Sequence, residues 1–171
     1  MRRFLPMILL AVASLSSSAC GDVARTELEL VFPGEDLRAS TQQLLFVLRA
    51  PTGAGDQCAG LWGAAPAGPI NEKAWLVDYP NAVDVSVMRL DVGSYVTLAY
   101  ALPARLDALC SESGEADCQA SSVGKACKSV AGGQRACLPP SGELIPLAGG
   151  CLGTIITADE VKTQVLQLAP R

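Results

Sequence analysis

From residue 26 onward, apolar and polar positions exchange at short intervals. In Thr26-Glu27-Leu28-Glu29-Leu30-Val31-Phe32, Leu28, Leu30 and Phe32 fall on one face and Glu27 and Glu29 on the other, the two-residue period of a half-buried strand. Pro33-Gly34-Glu35-Asp36 closes it as a turn. Residues 43–50 hold the unbroken run Leu44-Leu45-Phe46-Val47-Leu48 and stop at Pro51; so short a run predicts a strand covered on both faces rather than a helix. Residues 74–79 form a short strand ended by Tyr79-Pro80-Asn81. Residues 83–90 and 94–101, rich in β-branched and aromatic side chains and joined through Asp91-Val92-Gly93, predict a hairpin. Residues 152–157 and 161–168 predict a second one around Ala158-Asp159-Glu160. A helix competes there, since Thr157 and Glu160 have capping-box spacing, but Ile155, Ile156, Val161, Thr163 and Val165 favour strands.

Between these segments the chain changes character. Residues 51–70 are a Gly, Ala and Pro loop carrying Cys58 and Trp62, a composition that cannot order itself, so a disulfide through Cys58 is expected to fix it. Trp62 either caps one end of the core or stands exposed as a recognition aromatic. Residues 103–110 suit one or two helical turns with Pro103 at the first position. Residues 111–141 lose all hydrophobic periodicity, and Gly132-Gly133 and Gly149-Gly150 read as turns. Neither glycine pair has the further glycines and lysine of a phosphate loop. About seven short strands define the expectation: an all-β fold, an antiparallel two-sheet sandwich over residues 26–171 with a long cysteine-rich loop at 103–142.

The first twenty residues belong to a different physical regime. Arg2 and Arg3 precede an apolar stretch interrupted by Pro6, and Ser16 to Ala19 are small residues suited to a signal peptidase. The stretch falls short of the roughly 20 apolar residues of a spanning helix, so it reads as a leader. Ser18-Ala19-Cys20 resembles the bacterial lipoprotein signal, in which the cysteine is acylated and becomes the mature N-terminus; Ser17 stands where that pattern usually has Leu. The resemblance implies a signal peptide over 1–19, lipidation of Cys20, a lipid tether over 20–25, and attachment to the membrane through acyl chains. Ordinary secretion with Cys20 as an odd thiol is the competing reading, and an unpaired cysteine in an oxidising compartment argues against it.

Charge and cysteine usage narrow the classes further. The leader holds two of the 13 basic residues and none of the 17 acidic ones, which leaves the remainder near −6. An acidic surface disfavours nucleic acid and anionic headgroups, so membrane attachment must come from lipid. Six cysteines follow Cys20, namely Cys58, Cys110, Cys118, Cys127, Cys137 and Cys151; in an exported chain that even number implies three bridges. Fifteen pairings are open, with close neighbours such as Cys127 and Cys137 favoured by their short separation. No C-x-x-C knuckle or His completes a metal site, so no metal and no cofactor are expected. The absence of His also removes a Ser/His/Asp triad or a Cys/His pair. Glu112, Glu115 and Asp117, with Asp107 nearby, are the carboxylates that could serve glycosidic chemistry or weak Ca²⁺ binding, and a solvated loop is the better reading. Tyr79, Tyr95 and Tyr100 lie in or beside strands, Tyr95 and Tyr100 on opposite faces.

Taken together, the leader, the segment Met88-Arg89-Leu90-Asp91-Val92-Gly93-Ser94-Tyr95-Val96-Thr97-Leu98 and the late Gly150-Cys151 before a Thr/Val-rich end resemble exported lipoproteins of myxobacterial type. That resemblance implies an immunoglobulin-like or prealbumin-like sandwich and describes a fold rather than an activity. The expectation is a lipid-anchored lipoprotein of the bacterial cell envelope, at the outer membrane or cell surface. It would be a binding or structural module, not an enzyme, with an envelope protein or glycan as its partner. The alternative is a secreted disulfide-rich enzyme inhibitor or enzyme that uses the cysteine-rich loop.

Overall fold

Strand-forming segments that each need a partner for their backbone and a cover for their apolar face assemble into three sheets. A computed structural model describes residues 23–51, 57–58, 61–62, 73–80, 85–106, 109–110, 118, 124–157 and 161–171. In chain order the elements are β1 (Val23–Val31), α1 (Glu35–Ser40), β2 (Gln43–Arg49), β3 (Lys73–Asp78), β4 (Val85–Asp91), β5 (Gly93–Leu102), β6 (Ala126–Ala131), β7 (Gln134–Leu138), β8 (Ala148–Ile156), β9 (Val161–Gln167) and β10 (Ala169–Pro170). The outer sheet has the order β4-β1-β9, the central sheet β10-β8-β5-β2-β3, and β6 with β7 forms a separate hairpin.

The all-β sandwich expected from the strand pattern is what the chain builds, with more strands than the seven anticipated. Among the described residues the ladders are antiparallel except that of β1 with β9, which is parallel. Strand β1 begins at Val23, so three residues read as tether belong to the sheet.

The unbroken apolar run of β2 finds its reason in the central sheet, which is covered on both faces. Leu44, Phe46 and Leu48 point with Ala99 and Ala101 toward the outer sheet, where Leu28, Leu30 and Leu166 meet them. Leu45 and Val47 point the other way with Val96, Leu98, Tyr100 and Leu102, against Leu106, Ala136, Leu138 and Leu144. Period two sorts β2 between two cores, and positions 44–48 are therefore all apolar. The inner turn at Leu106 is tied by Gln43, which is buried: its Oε1 accepts from the Leu106 N–H at 2.9 Å and its Nε2 donates to Asp78 Oδ1 at 3.1 Å.

Both hairpins expected from the sequence are corrected. Strand β4 pairs with β1, and β5 pairs with β2 and β8, so the chain crosses from the outer to the central sheet at Val92. A single connecting residue cannot make the two-residue loop of a tight hairpin, and β5 already has a neighbour on each side. Likewise β8 lies between β5 and β10, while β9 crosses to pair with β1. Segments 152–157 and 161–168 are strands as expected, but they close the sandwich rather than a hairpin.

Three further differences are local. Residues 33–36, read as a turn, lead into α1, which is held by a bond from Arg38 Nε to the hydroxyl of Tyr79, just past the end of β3, at 2.7 Å. Within 103–110 the described residues form no helix. Gly149 and Gly150 lie inside β8 and are not a turn. A Cβ on Gly150 would meet the Gln167 carbonyl oxygen at 2.5 Å and the Leu166 side chain, so glycine serves there to let the two sheets approach. Gly132-Gly133 is the turn between β6 and β7, with φ of 58° and 81°.

Candidate functional site

The cysteine-rich span carries two of the staples and one wall of a groove. Three bridges form among the six cysteines: Cys58–Cys151, Cys110–Cys127 and Cys118–Cys137. The first joins the 51–70 loop to β8, as the need to fix that loop implied. The other two lie within residues 103–142 and anchor the β6–β7 hairpin. The close pair Cys127 and Cys137 is not bonded. These residues are register partners across the hairpin, yet each is bonded to a cysteine earlier in the chain, Cys127 to Cys110 and Cys137 to Cys118. The backbone N–H of Cys110 donates to the Arg135 carbonyl at 2.8 Å, and Leu109 bridges to Ala136.

On the far side of the hairpin, Tyr100 of β5 stands fully buried beneath the turn. Its hydroxyl donates to the Leu61 carbonyl at 2.7 Å, and its ring meets the Trp62 ring edge-on with centroids 5.8 Å apart. Glycine is required on two sides of this stack. A Cβ on Gly149 would lie 2.6 Å from the Trp62 indole, and one on Gly132 would lie 3.0 Å from the Tyr100 ring. Buried Arg49 donates through Nη2 to the Gly132 carbonyl and so holds the turn from below. The result is a groove of about 240 Å³ lined by Leu61, Trp62, Gly132, Gln134, Pro146 and Arg171. The Arg171 guanidinium lies 5.8 Å from the Trp62 ring centre, within range of a cation–π contact.

Trp62 is packed and partly exposed at once: its ring rests on Tyr100 and Gly149, and 38% of its surface is open. Anchored aromatic surface of this kind loses little entropy when a ligand covers it, since the loop is already held by the Cys58–Cys151 bridge and the Tyr100 hydrogen bond. Around the ring the groove offers an amide at Gln134 and a cation at Arg171, a mostly apolar cleft with a few polar groups. The sequence pattern marks Trp62 and Gly132-Gly133 separately; Gln134, Pro146 and Arg171 escape it because nothing in their local pattern sets them apart.

The remaining candidates are placed as follows. Tyr79 is buried against Phe32 with ring centroids 5.4 Å apart, and Tyr95 packs against the outer-sheet core while Tyr100 faces the hairpin. The opposite faces expected for Tyr95 and Tyr100 are thus found. Cys20, Asp107, Glu112, Glu115 and Asp117 lie outside the described residues. Among the described residues, no helix is long and apolar enough to cross a membrane. The sulfurs of Cys110, Cys127 and Cys137 lie within 4.8 Å of one another, all engaged in bridges.

The fold and its bridges define a disulfide-braced all-β sandwich. No protein-family model matches the chain, and no curated protein matches it. Among solved structures it is similar to a DUF1812 protein from Bacteroides thetaiotaomicron, proposed to bind polysaccharides, at 10% identity and a TM-score of 0.38. The match covers 85% of this chain and 46% of that one, so the chain spans less than half the length of that structure.

Proposed function

We propose that this protein is a lipid-anchored binding module of the bacterial cell envelope and that it holds a glycan in the Trp62 groove. The observation that carries the reading is Trp62 itself: an indole 38% exposed yet fixed from beneath by Tyr100 and Gly149. A flat, anchored aromatic surface suits the C–H face of a sugar ring, and Gln134 and Arg171 stand where hydroxyl or carboxylate groups of that sugar would lie. Binding is favoured over catalysis because the chain has no His and the six cysteines after Cys20 are all bridged.

Anchoring and groove are compatible in geometry. The tether enters at Val23, which pairs with Asp91, while Gly93 pairs with Ile156 and Arg25 with Val161; one end of the sandwich gathers them all. Tyr100 lies further along β5, about 24 Å from that end at ~3.4 Å per residue. An acylated Cys20 would hold the tether end at the bilayer and leave the groove facing away from it.

Mass spectrometry of the N-terminal peptide from native membranes tests the anchor, with a diacylated Cys20 expected; an unacylated start would overturn it. A soluble Cys20→Ser protein applied to an array of neutral and acidic oligosaccharides tests the groove. The expected result is retention that falls at least tenfold in Trp62→Ala while its circular dichroism spectrum remains that of the folded sandwich. No retained glycan, or equal retention by Trp62→Ala, would overturn the glycan reading.

A further inference from the structure

Two disulfides in this protein share one cluster of sulfurs. Cys110 is bonded to Cys127 and Cys118 to Cys137, and the sulfur of Cys137 lies within 4.8 Å of those of both Cys110 and Cys127. Cys127 and Cys137 are also direct partners in the β6–β7 ladder. Opposed residues of an antiparallel pair have Cα atoms about 4.5–5.5 Å apart, inside the range a disulfide accepts. The strand register therefore holds ready a third bridge that the resting protein does not use.

We propose that this cluster is a redox site that accepts electrons from an external dithiol and passes the opening from Cys110 through to Cys118. Burial and sulfur geometry together set the direction. Cys127 and Cys118 are almost wholly buried, which leaves Cys110 and Cys137 as the partly exposed entry points, and of these only attack at Cys110 frees a thiolate, Cys127, within 4.8 Å of a sulfur of the other bridge. A thiolate of the dithiol attacks the Cys110 sulfur, forms a mixed disulfide there and expels Cys127 as thiolate. That thiolate faces Cys137 and attacks its sulfur; the Cys127–Cys137 bond forms, the Cys118–Cys137 bond breaks, and Cys118 leaves as thiolate. The second thiol of the dithiol then attacks its own sulfur in the mixed disulfide and releases Cys110. Two electrons and two protons pass from the dithiol to Cys110 and Cys118, and the dithiol departs as a disulfide.

The exchange has a structural consequence. Cys110 and Cys118 are each tied to the hairpin by one of the original bridges; after exchange both ties are gone, while β6 and β7 are cross-linked directly to each other. The hairpin that carries Gly132, Gly133 and Gln134 stays closed, so the groove survives the loss of both original ties.

Substoichiometric dithiothreitol, an acid quench and alkylation of the oxidised protein test this. Trypsin leaves Cys110 and Cys118 together on residues 106–125, Cys127 on 126–128 and Cys137 on a peptide starting at residue 136. Among chains that have lost one of these two bridges, the expected product is a doubly alkylated 106–125 peptide with 126–128 linked to the peptide from 136. Alkylation of Cys110 with Cys127, or of Cys118 with Cys137, would show direct reduction and overturn the relay. The Cys110→Ser protein gives a second measurement independent of reductant. It is expected to link Cys127 to Cys137 and leave Cys118 alkylated; a retained Cys118–Cys137 link with Cys127 alkylated would overturn the proposal.

Discussion

Gly150 is the position where a single methyl group tests how the two sheets meet. On β8 it faces the outer sheet, and a Cβ there would stand 2.5 Å from the Gln167 carbonyl oxygen and within the Leu166 side chain. The Gln167 oxygen is backbone at the end of β9, so relief requires the sheets to separate locally rather than a rotamer to change. Overpacking a fitted core costs about 1–3 kcal/mol, and a backbone neighbour places Gly150→Ala at the upper end, about 3 kcal/mol. At about 2–4 °C per kcal/mol for a chain of this size, the melting temperature should fall by about 6–12 °C. Two positions on the same strand provide the comparison. A methyl group on Gly153 would meet nothing within 4 Å, so Gly153→Ala should be neutral. The nearest atoms to a Cβ on Gly149 all belong to the Trp62 indole, the first at 2.6 Å, so Gly149→Ala should cost about 1 kcal/mol and shift the tryptophan emission as the ring is displaced. Thermal unfolding followed by circular dichroism, with all bridges oxidised, separates the three. A Gly150→Ala protein as stable as Gly153→Ala would refute the account of sheet approach.

Further predictions concern the site and its supports. Gln43→Leu strips the acceptor from the Leu106 N–H and the donor from its carbonyl and should cost about 2–3 kcal/mol in urea unfolding, whereas Gln42, exposed beside it, should tolerate replacement within about 0.5 kcal/mol. Cys58→Ala with Cys151→Ala opens a bridge of sequence separation 93, for which chain entropy gives about 4–5 kcal/mol; denaturant unfolding should show a loss near that size together with loss of glycan retention. Tyr100→Phe removes only the hydroxyl that donates to Leu61, so it should cost about 1 kcal/mol and weaken glycan retention without abolishing it, as read on the same array.

Strand identity was legible in the chain because burial writes itself in a period of two. Leu28, Leu30 and Phe32 alternate with Glu27 and Glu29, and the strand they form has one covered face; Leu44 to Leu48 do not alternate, and β2 is covered on both. Even the residues that competed for a helix at 161–168 resolve as strand, since Leu166 and Leu168 fall into the core on alternate positions. The six cysteines announced bridges, and loop 51–70 announced its need for one. The β6–β7 hairpin was less visible: Gly132-Gly133 signalled its turn, but Ala126 to Ala131 is poor in the β-branched and aromatic residues that mark strands.

What the local pattern does not contain is which strand lies beside which. Val92 and residues 158–160 look like hairpin loops because strand propensity is local, while the choice of neighbour depends on which ladder edges are already occupied. The same limit hides the groove: Trp62, Gly132, Gln134 and Arg171 are far apart in sequence and meet only because Tyr100 and Gly149 are side by side on β5 and β8. Disulfide partners follow the same rule, for Cys127 and Cys137 are near in sequence and opposite in register yet bond elsewhere, each to a sulfur carried by the 110–118 segment. Sequence by itself determined the class of fold, the strands and the demand for bridges, since those answer to the solvation of each segment. Tertiary structure alone decided the sheet crossings, the pairing of sulfurs and the composition of the groove, since those answer to contacts between segments that the chain brings together only on folding.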